Sequence, residues 1–168
     1  MNDSIKYGLG LMLYLFFQVF LFNELELFNL AVPHVFLLFL LMLPFNITRP
    51  SLYLIAFGLG FLVDIFSDGA VTGLQAFSCV LVVGLRSGLA GILSSSNFRN
   101  LEDLDFKAQN GIWYVGYLLP LIFVHQFAVH FMEALSFQNF FYKLLQIGVG
   151  TAFTFIICYI LVVLFYKR

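Results

Sequence analysis

Six stretches of the chain are almost wholly apolar, and short polar interruptions separate them. They run approximately Ile5 to Phe22, Leu30 to Phe45, Ser51 to Phe66, Gly73 to Leu93, Ile112 to Phe131 and Phe140 to Phe165. A helix needs about 20 largely apolar residues to cross the hydrocarbon of a bilayer, with a range of about 17 to 25. Each stretch lies near that length, the second and third slightly short and the sixth slightly long. The interruptions hold residues that end helices: Asn23-Glu24, Pro44 to Pro50, Asp68-Gly69, Ser94 to Gly111 and Ser136 to Asn139. None is long enough for a separate domain. The pattern therefore predicts an all-α integral membrane protein, with residues 1–168 forming a single six-helix transmembrane domain.

Basic residues in loops are retained on the cytoplasmic side of a membrane. Lys6, Arg49, Arg99, Lys107, Lys167 and Arg168 share one side of the predicted topology, and only Lys143 falls opposite. The loops carrying Glu24, Glu26 and Asp68 have no basic residue. Both termini are thus expected to be cytoplasmic, which requires an even number of spans. A four-span chain, with the second and third segments as a re-entrant pair, would satisfy the same parity.

Composition strengthens the membrane assignment. Hydrophobic residues make up 62% of the 168 and charged residues 10%, against about 25% charged in soluble domains. The net charge of −1 gives no reason to expect nucleic acid or a basic arm on anionic lipid. Cys79 and Cys158 both sit in apolar runs, which argues against a disulfide framework or a thiolate metal site. The first apolar run is not followed by a small-residue cleavage site and reads as a retained span. Asn46-Ile47-Thr48 matches a glycosylation acceptor but falls on the predicted cytoplasmic side.

Titratable groups inside apolar spans cost about 2.5 to 3.5 kcal/mol each at mid-membrane, so each needs a partner or a purpose. Asp64 is expected near the outer end of the third span, about 20 Å above Ser51, with Thr72, Gln75 or the following loop as partner. Arg86 is expected about 10 Å from the inner end of the fourth span. That difference in height argues against an Asp64–Arg86 ion pair and for a guanidinium that snorkels to the inner headgroups. His125, His130 and Glu133 fall in the outer part of the fifth span. The two histidines are five apart and do not share a helix face as i, i+4 metal ligands would, so the expectation is that His125 hydrogen-bonds inside the bundle and no metal is held. The loop Ser94 to Gly111 carries Glu102, Asp103 and Asp105 beside Arg99 and Lys107, either as a cytoplasmic contact surface or as a solvated connector.

Glycines form a second group. Gly58 and Gly60 in the third span and Gly84, Gly88 and Gly91 in the fourth, including a G-x-x-x-G, allow close approach of helices, within this chain or to another. In the first span Tyr7, Gly10, Tyr14 and Gln18 recur at helical steps, a stripe expected to face protein because Gln18 in lipid would be unsatisfied. There is no Walker loop, G-x-S-x-G, H-E-x-x-H or paired glutamate of intramembrane proteases. The chain is read as a non-enzyme that calls for no cofactor.

Several of these patterns together resemble the bacterial rod shape-determining MreD family over nearly the whole chain. Gln18-Val19-Phe20-Leu21-Phe22-Asn23 leads through Leu27-Phe28 and Pro33 to Leu43-Pro44-Phe45-Asn46. Gly60-x-x-x-Asp64 followed by Gly73-Leu74-Gln75-Ala76 is similar to that family's glycine, aspartate and Gly-Leu-His-Ala pattern, with Gln75 where histidine is common. His125 and the run Phe131-Met132-Glu133-Ala134-Leu135-Ser136-Phe137 add to it. The resemblance implies a multi-pass protein of the bacterial cytoplasmic (inner) membrane, a scaffold of the elongation machinery. Its direct partner would be MreC. Through the complex it would be linked to MreB filaments and to the peptidoglycan synthases, RodA and a class B penicillin-binding protein. The family is also similar in helix count to the substrate-binding subunits of energy-coupling-factor transporters. That likeness leaves an alternative, in which Asp64, Gln75, His125 and Glu133 line an outer pocket for a vitamin-like molecule.

Overall fold

The computed structural model describes residues 3–25, 27, 30–66, 72–94, 101–133 and 140–165. Expectations placed on Glu26, Asp68-Gly69, Arg99, Ala134 to Asn139, Lys167 and Arg168 lie outside the described residues, as do the side chains of Lys6, Tyr7 and Glu133. Among the described residues the structure is helical, with α1 (Asp3–Phe17), α2 (Phe36–Met42), α3 (Arg49–Phe66), α4 (Leu74–Leu93), α5 (Gly111–Glu133) and α6 (Phe140–Phe165). α1 continues directly into a π-helical turn, Gln18–Phe22.

Helices α3 to α6 are each long and apolar enough to cross a membrane. Their outward faces carry Leu54, Phe57, Phe61, Leu85, Ile92, Phe123, Phe127, Ile160 and Phe165 in the open. An exterior so uniformly apolar is suited to lipid as solvent, because water-soluble monomers rarely expose contiguous apolar patches of more than a few hundred Å². Consecutive long helices pack on one another in chain order, and α5 is the most enclosed, with 56% of its span buried against 28%, 39% and 33% for α3, α4 and α6.

The second segment departs from expectation. Helix forms only over the seven residues Phe36–Met42, about 10 Å of length, and every one of them is buried. Leu43 is extended (φ −59°, ψ 139°) because a residue before proline is pushed out of the helical region, and Pro44 follows. The contacts show the path of this segment. The Asn23 side chain donates to the Phe66 carbonyl at 3.4 Å, so α1 and α3 end together and run in the same direction. The chain between them returns through the middle of the bundle: His34 lies beside Gln75 at the start of α4, and Pro44 beside Arg86 near the end of α4. The stripe on α1 faces this segment. A Cβ on Gly10 would meet the Phe39 ring at 3.2 Å, the Tyr14 and Phe39 rings are 5.8 Å apart, and Gln18 is fully buried.

The bundle therefore has a polar end, near Gln18, His34 and Asp64, a leucine-rich middle around α2, and an aromatic end. At the aromatic end Phe106, from the short 3-10 turn Phe106–Ala108, stacks on Phe45 at 5.6 Å and meets Trp113 edge-on at 6.0 Å. Tyr114 donates to the Phe106 carbonyl at 2.6 Å. The connector before α5 is thus not wholly solvated: Leu104 and Phe106 are buried, while Glu102, Asp103, Asp105 and Lys107 remain exposed.

Candidate functional site

A seven-residue helix has more unsatisfied backbone groups than internal bonds, and a membrane interior offers no water to satisfy them. Side chains from other elements meet this need at both ends of α2. At the polar end Gln18 lies in the π-turn. Its amide nitrogen donates to the Pro33 carbonyl and to Asn23 Oδ1, both at 3.0 Å, and its oxygen accepts from the Phe36 N–H at 3.2 Å. The Thr154 hydroxyl of α6 accepts from the His34 N–H at 3.1 Å. At the other end Arg86 donates to the Leu40 carbonyl at 2.6 Å and to the Pro44 carbonyl at 3.0 Å. Tyr117 donates to the Leu41 carbonyl at 3.0 Å.

Arg86 is consequently not a snorkelling residue. It is 1% exposed, and its guanidinium carbon sits 4.6 Å from the centre of the Phe45 ring. A planar fork of several N–H groups reaches two separated carbonyls from different nitrogens, whereas an ammonium would have to reach both from a single point. The negative end of a helix that stops mid-bundle supplies the partial charge that makes a buried cation tolerable there. Asp64 and Arg86 have separate partners, as their heights suggested.

Asp64 works with the glycines around it. Its two carboxylate oxygens accept from the backbone N–H groups of Gln75 and Ala76, each at 3.1 Å, which are first-turn donors of α4 without helical partners. One turn earlier, a Cβ on Gly60 would fall 2.6 Å from Ala76 Cα and 2.7 Å from the Gln75 carbonyl oxygen. Only glycine permits that approach. Gly73 enters α4 at φ +100°, a left-handed conformation that disfavours other residues. Gly60, Asp64, Gly73 and the backbone of Gln75 thus form one joint between α3 and α4.

Beside this joint lies a cluster of polar side chains. The Gln75 amide nitrogen is 2.9 Å from His34 Nε2, and the Gln126 amide nitrogen is 3.1 Å from His34 Nδ1 and 3.2 Å from Thr154 Oγ1. The His34 and His125 rings lie 5.1 Å apart. Gly150 makes room for this arrangement, since a Cβ there would meet the Gln126 amide nitrogen at 3.0 Å. His125 differs from expectation. Its ring is fully buried between His34 and Phe36, and neither ring nitrogen has a hydrogen-bond partner among the described residues. The same holds for Gln75 Oε1, Gln126 Oε1 and Thr151 Oγ1. Among the described residues no group of three or more histidines, cysteines and carboxylates is placed to hold a metal ion.

Comparison with family models, curated proteins and solved structures finds no match.

The remaining glycines of α4 point away from the bundle. Gly84 and Gly88 are exposed. A Cβ on Gly88 would meet nothing within 4 Å, and one on Gly84 would meet the Tyr53 side chain of α3, its hydroxyl at 3.4 Å and its ring at 3.8 Å. Glu133 is the last residue of α5. Four residues of these networks, His34, Gln126, Thr154 and Tyr117, carry no sequence signal. A single amide, hydroxyl or ring inside an apolar run has no spacing to reveal it, and their partners are backbone groups or come from distant segments.

Proposed function

We propose that this chain is a non-enzymatic scaffold of the bacterial cell-elongation machinery. It would act in the cytoplasmic membrane, binding a single-span partner of the MreC type and through it linking MreB filaments to the synthases RodA and class B penicillin-binding protein. In this reading all six apolar segments cross the membrane, the second as α2 with its non-helical flanks, both termini are cytoplasmic, and the polar end faces outward. The helix arrangement is then of the energy-coupling-factor substrate-subunit kind.

The observation that carries the reading is how the glycines are divided. Gly60 and Gly73 are used inside the bundle to seat α4 on α3, whereas Gly84 and Gly88 leave a shallow notch on the outward face of α4. Small residues spaced by four are how membrane helices come into close contact; among the described residues nothing comes within 4 Å of a Cβ on Gly88, and Gly84 meets this chain only through the Tyr53 side chain of α3. Gly88→Leu, alone and combined with Gly84→Leu, should leave the protein folded and inserted but lose co-purification of MreC in mild detergent. Full retention of MreC and normal rod shape in cells carrying the double variant would sink the proposal.

A second reading has its own support. The unpartnered polar atoms of Gln75, His125, Gln126 and Thr151 fit a bundle that holds a small polar molecule at its polar end, as a transporter's substrate-binding subunit would. Native mass spectrometry separates the two readings, since a retained small molecule with ATPase subunits supports the second and stoichiometric MreC the first.

A further inference from the structure

The environment of His34 raises a question of hydrogen-bond arithmetic. A neutral imidazole has one N–H and one lone pair, so of two flanking amides one must present nitrogen and the other oxygen; an imidazolium needs oxygen from both. His34 has a glutamine amide on each side, Gln75 at Nε2 and Gln126 at Nδ1. The Oε1 atoms of both glutamines are buried without a hydrogen-bond partner. A half-turn of the terminal torsion exchanges the oxygen and nitrogen of a glutamine without moving the rest of the side chain. The pair can therefore match either protonation state of the ring.

The surroundings allow the same exchange. Thr154 Oγ1 accepts from the His34 N–H and keeps its own proton. It can receive a hydrogen bond from the Gln126 amide, as at present, or donate one to Gln126 Oε1 after the turn. We propose that His34 is a proton-binding site, with the Gln75 and Gln126 amides as an adjustable cradle that serves both the neutral ring and the imidazolium. His34 is only half-buried, so a proton can reach it from the polar end.

Among the described residues, the ionisable groups facing this site are few. α3 contributes Asp64, tied to the cradle through the Gln75 backbone. α5 contributes His125, 5.1 Å away by ring centres, and His130, which interacts electrostatically with His125. Near the cradle α4 and α6 offer only the buried thiols of Cys79 and Cys158, one turn beyond Gln75 and Thr154. Two adjacent imidazolium rings would repel each other, so the pair holds a single proton, on the ring that has partners. Both states tie the start of the second segment to α4 and α5, and the charge-assisted bonds of the imidazolium are the stronger, giving the polar end a proton-dependent stiffness. This inference depends on neither reading of the function.

The test is nitrogen-15 NMR of the full-length protein, labelled at its histidines, in lipid nanodiscs between about pH 5 and about pH 8. Loss of a signal in His34→Gln identifies the ring. The expected result is that His34 passes from neutral to imidazolium within that range. Gln75→Leu with Gln126→Leu, or either alone where the double variant does not assemble, should weaken its proton affinity by about tenfold, which is one pH unit. His34 neutral throughout the range overturns the proposal, and so does a midpoint indifferent to both amides. The wild-type spectrum alone can refute it, whatever the variants do.

Discussion

Replacing Arg86 distinguishes a guanidinium that serves two carbonyls from one that is present only for its charge. In Arg86→Met the two charge-assisted bonds to Leu40 and Pro44 are lost, at about 1.5 to 3 kcal/mol each. The contact with Phe45 adds about 0.5 to 2 kcal/mol. Against this, removing an arginine from the membrane interior recovers about 2.5 to 3.5 kcal/mol. The balance is a destabilisation of about 0 to 5.5 kcal/mol, tending upward because two carbonyls are left without donors in a dry interior. Arg86→Lys keeps the charge and its insertion cost but offers a point donor in place of a fork, so it should be no more stable than Arg86→Met. The assay is reversible unfolding by steric trapping or by denaturing detergent, with tryptophan fluorescence of Trp113, beside Tyr117, as reporter. Wild-type stability in Arg86→Lys would refute the reasoning, and so would a gain of stability in Arg86→Met.

Gly60→Ala should lower the unfolding midpoint sharply or prevent folding, since overpacking costs about 1 to 3 kcal/mol even where neighbours can yield and here the neighbour is backbone; Gly88→Ala measured alongside should be neutral. Asp64→Asn offers one acceptor where the first turn of α4 needs two. It should cost about 1 to 3 kcal/mol, and hydrogen exchange should locate the loss of protection at residues 75 and 76. Tyr117→Phe removes a single bond to the Leu41 carbonyl and should cost about 1 kcal/mol by the same unfolding assay.

The long helices were legible because membrane helices declare themselves by length and apolarity alone, and α3 to α6 each satisfy both. The joint at Asp64 was half legible. The height of Asp64 near the outer end of its span implied Thr72, Gln75 or the following loop as partner, but the partner is the backbone N–H of Gln75 and Ala76, and backbone carries no sequence pattern. The brevity of α2 was not legible, because Phe36 to Met42 reads like any stretch of membrane helix. What shortens it is Pro44 on one side and, on the other, side chains 18 and 120 residues away that take over its backbone bonds. Arg86 was misread for the same reason: its partners are carbonyls 42 and 46 residues earlier. The outward direction of Gly84 and Gly88 also escaped the sequence, since a glycine repeat is the same whether it meets a neighbour or open lipid.

The dependence of α2 on distant side chains sets an order of biogenesis. As the second segment leaves the ribosome, Arg86, Tyr117 and Thr154 have not been made, and Tyr117 follows its acceptor Leu41 by 76 residues. At about 5 to 20 residues per second that is a delay of about 4 to 15 s before the Leu41 carbonyl has its donor, and the Leu40 carbonyl waits 46 residues for Arg86. The segment must wait in the insertion machinery or at the headgroups and enter the bundle last, so its synthesis precedes its integration. Chains truncated before α5 should accordingly leave residues 30 to 45 accessible to aqueous labels, while the full-length protein protects them.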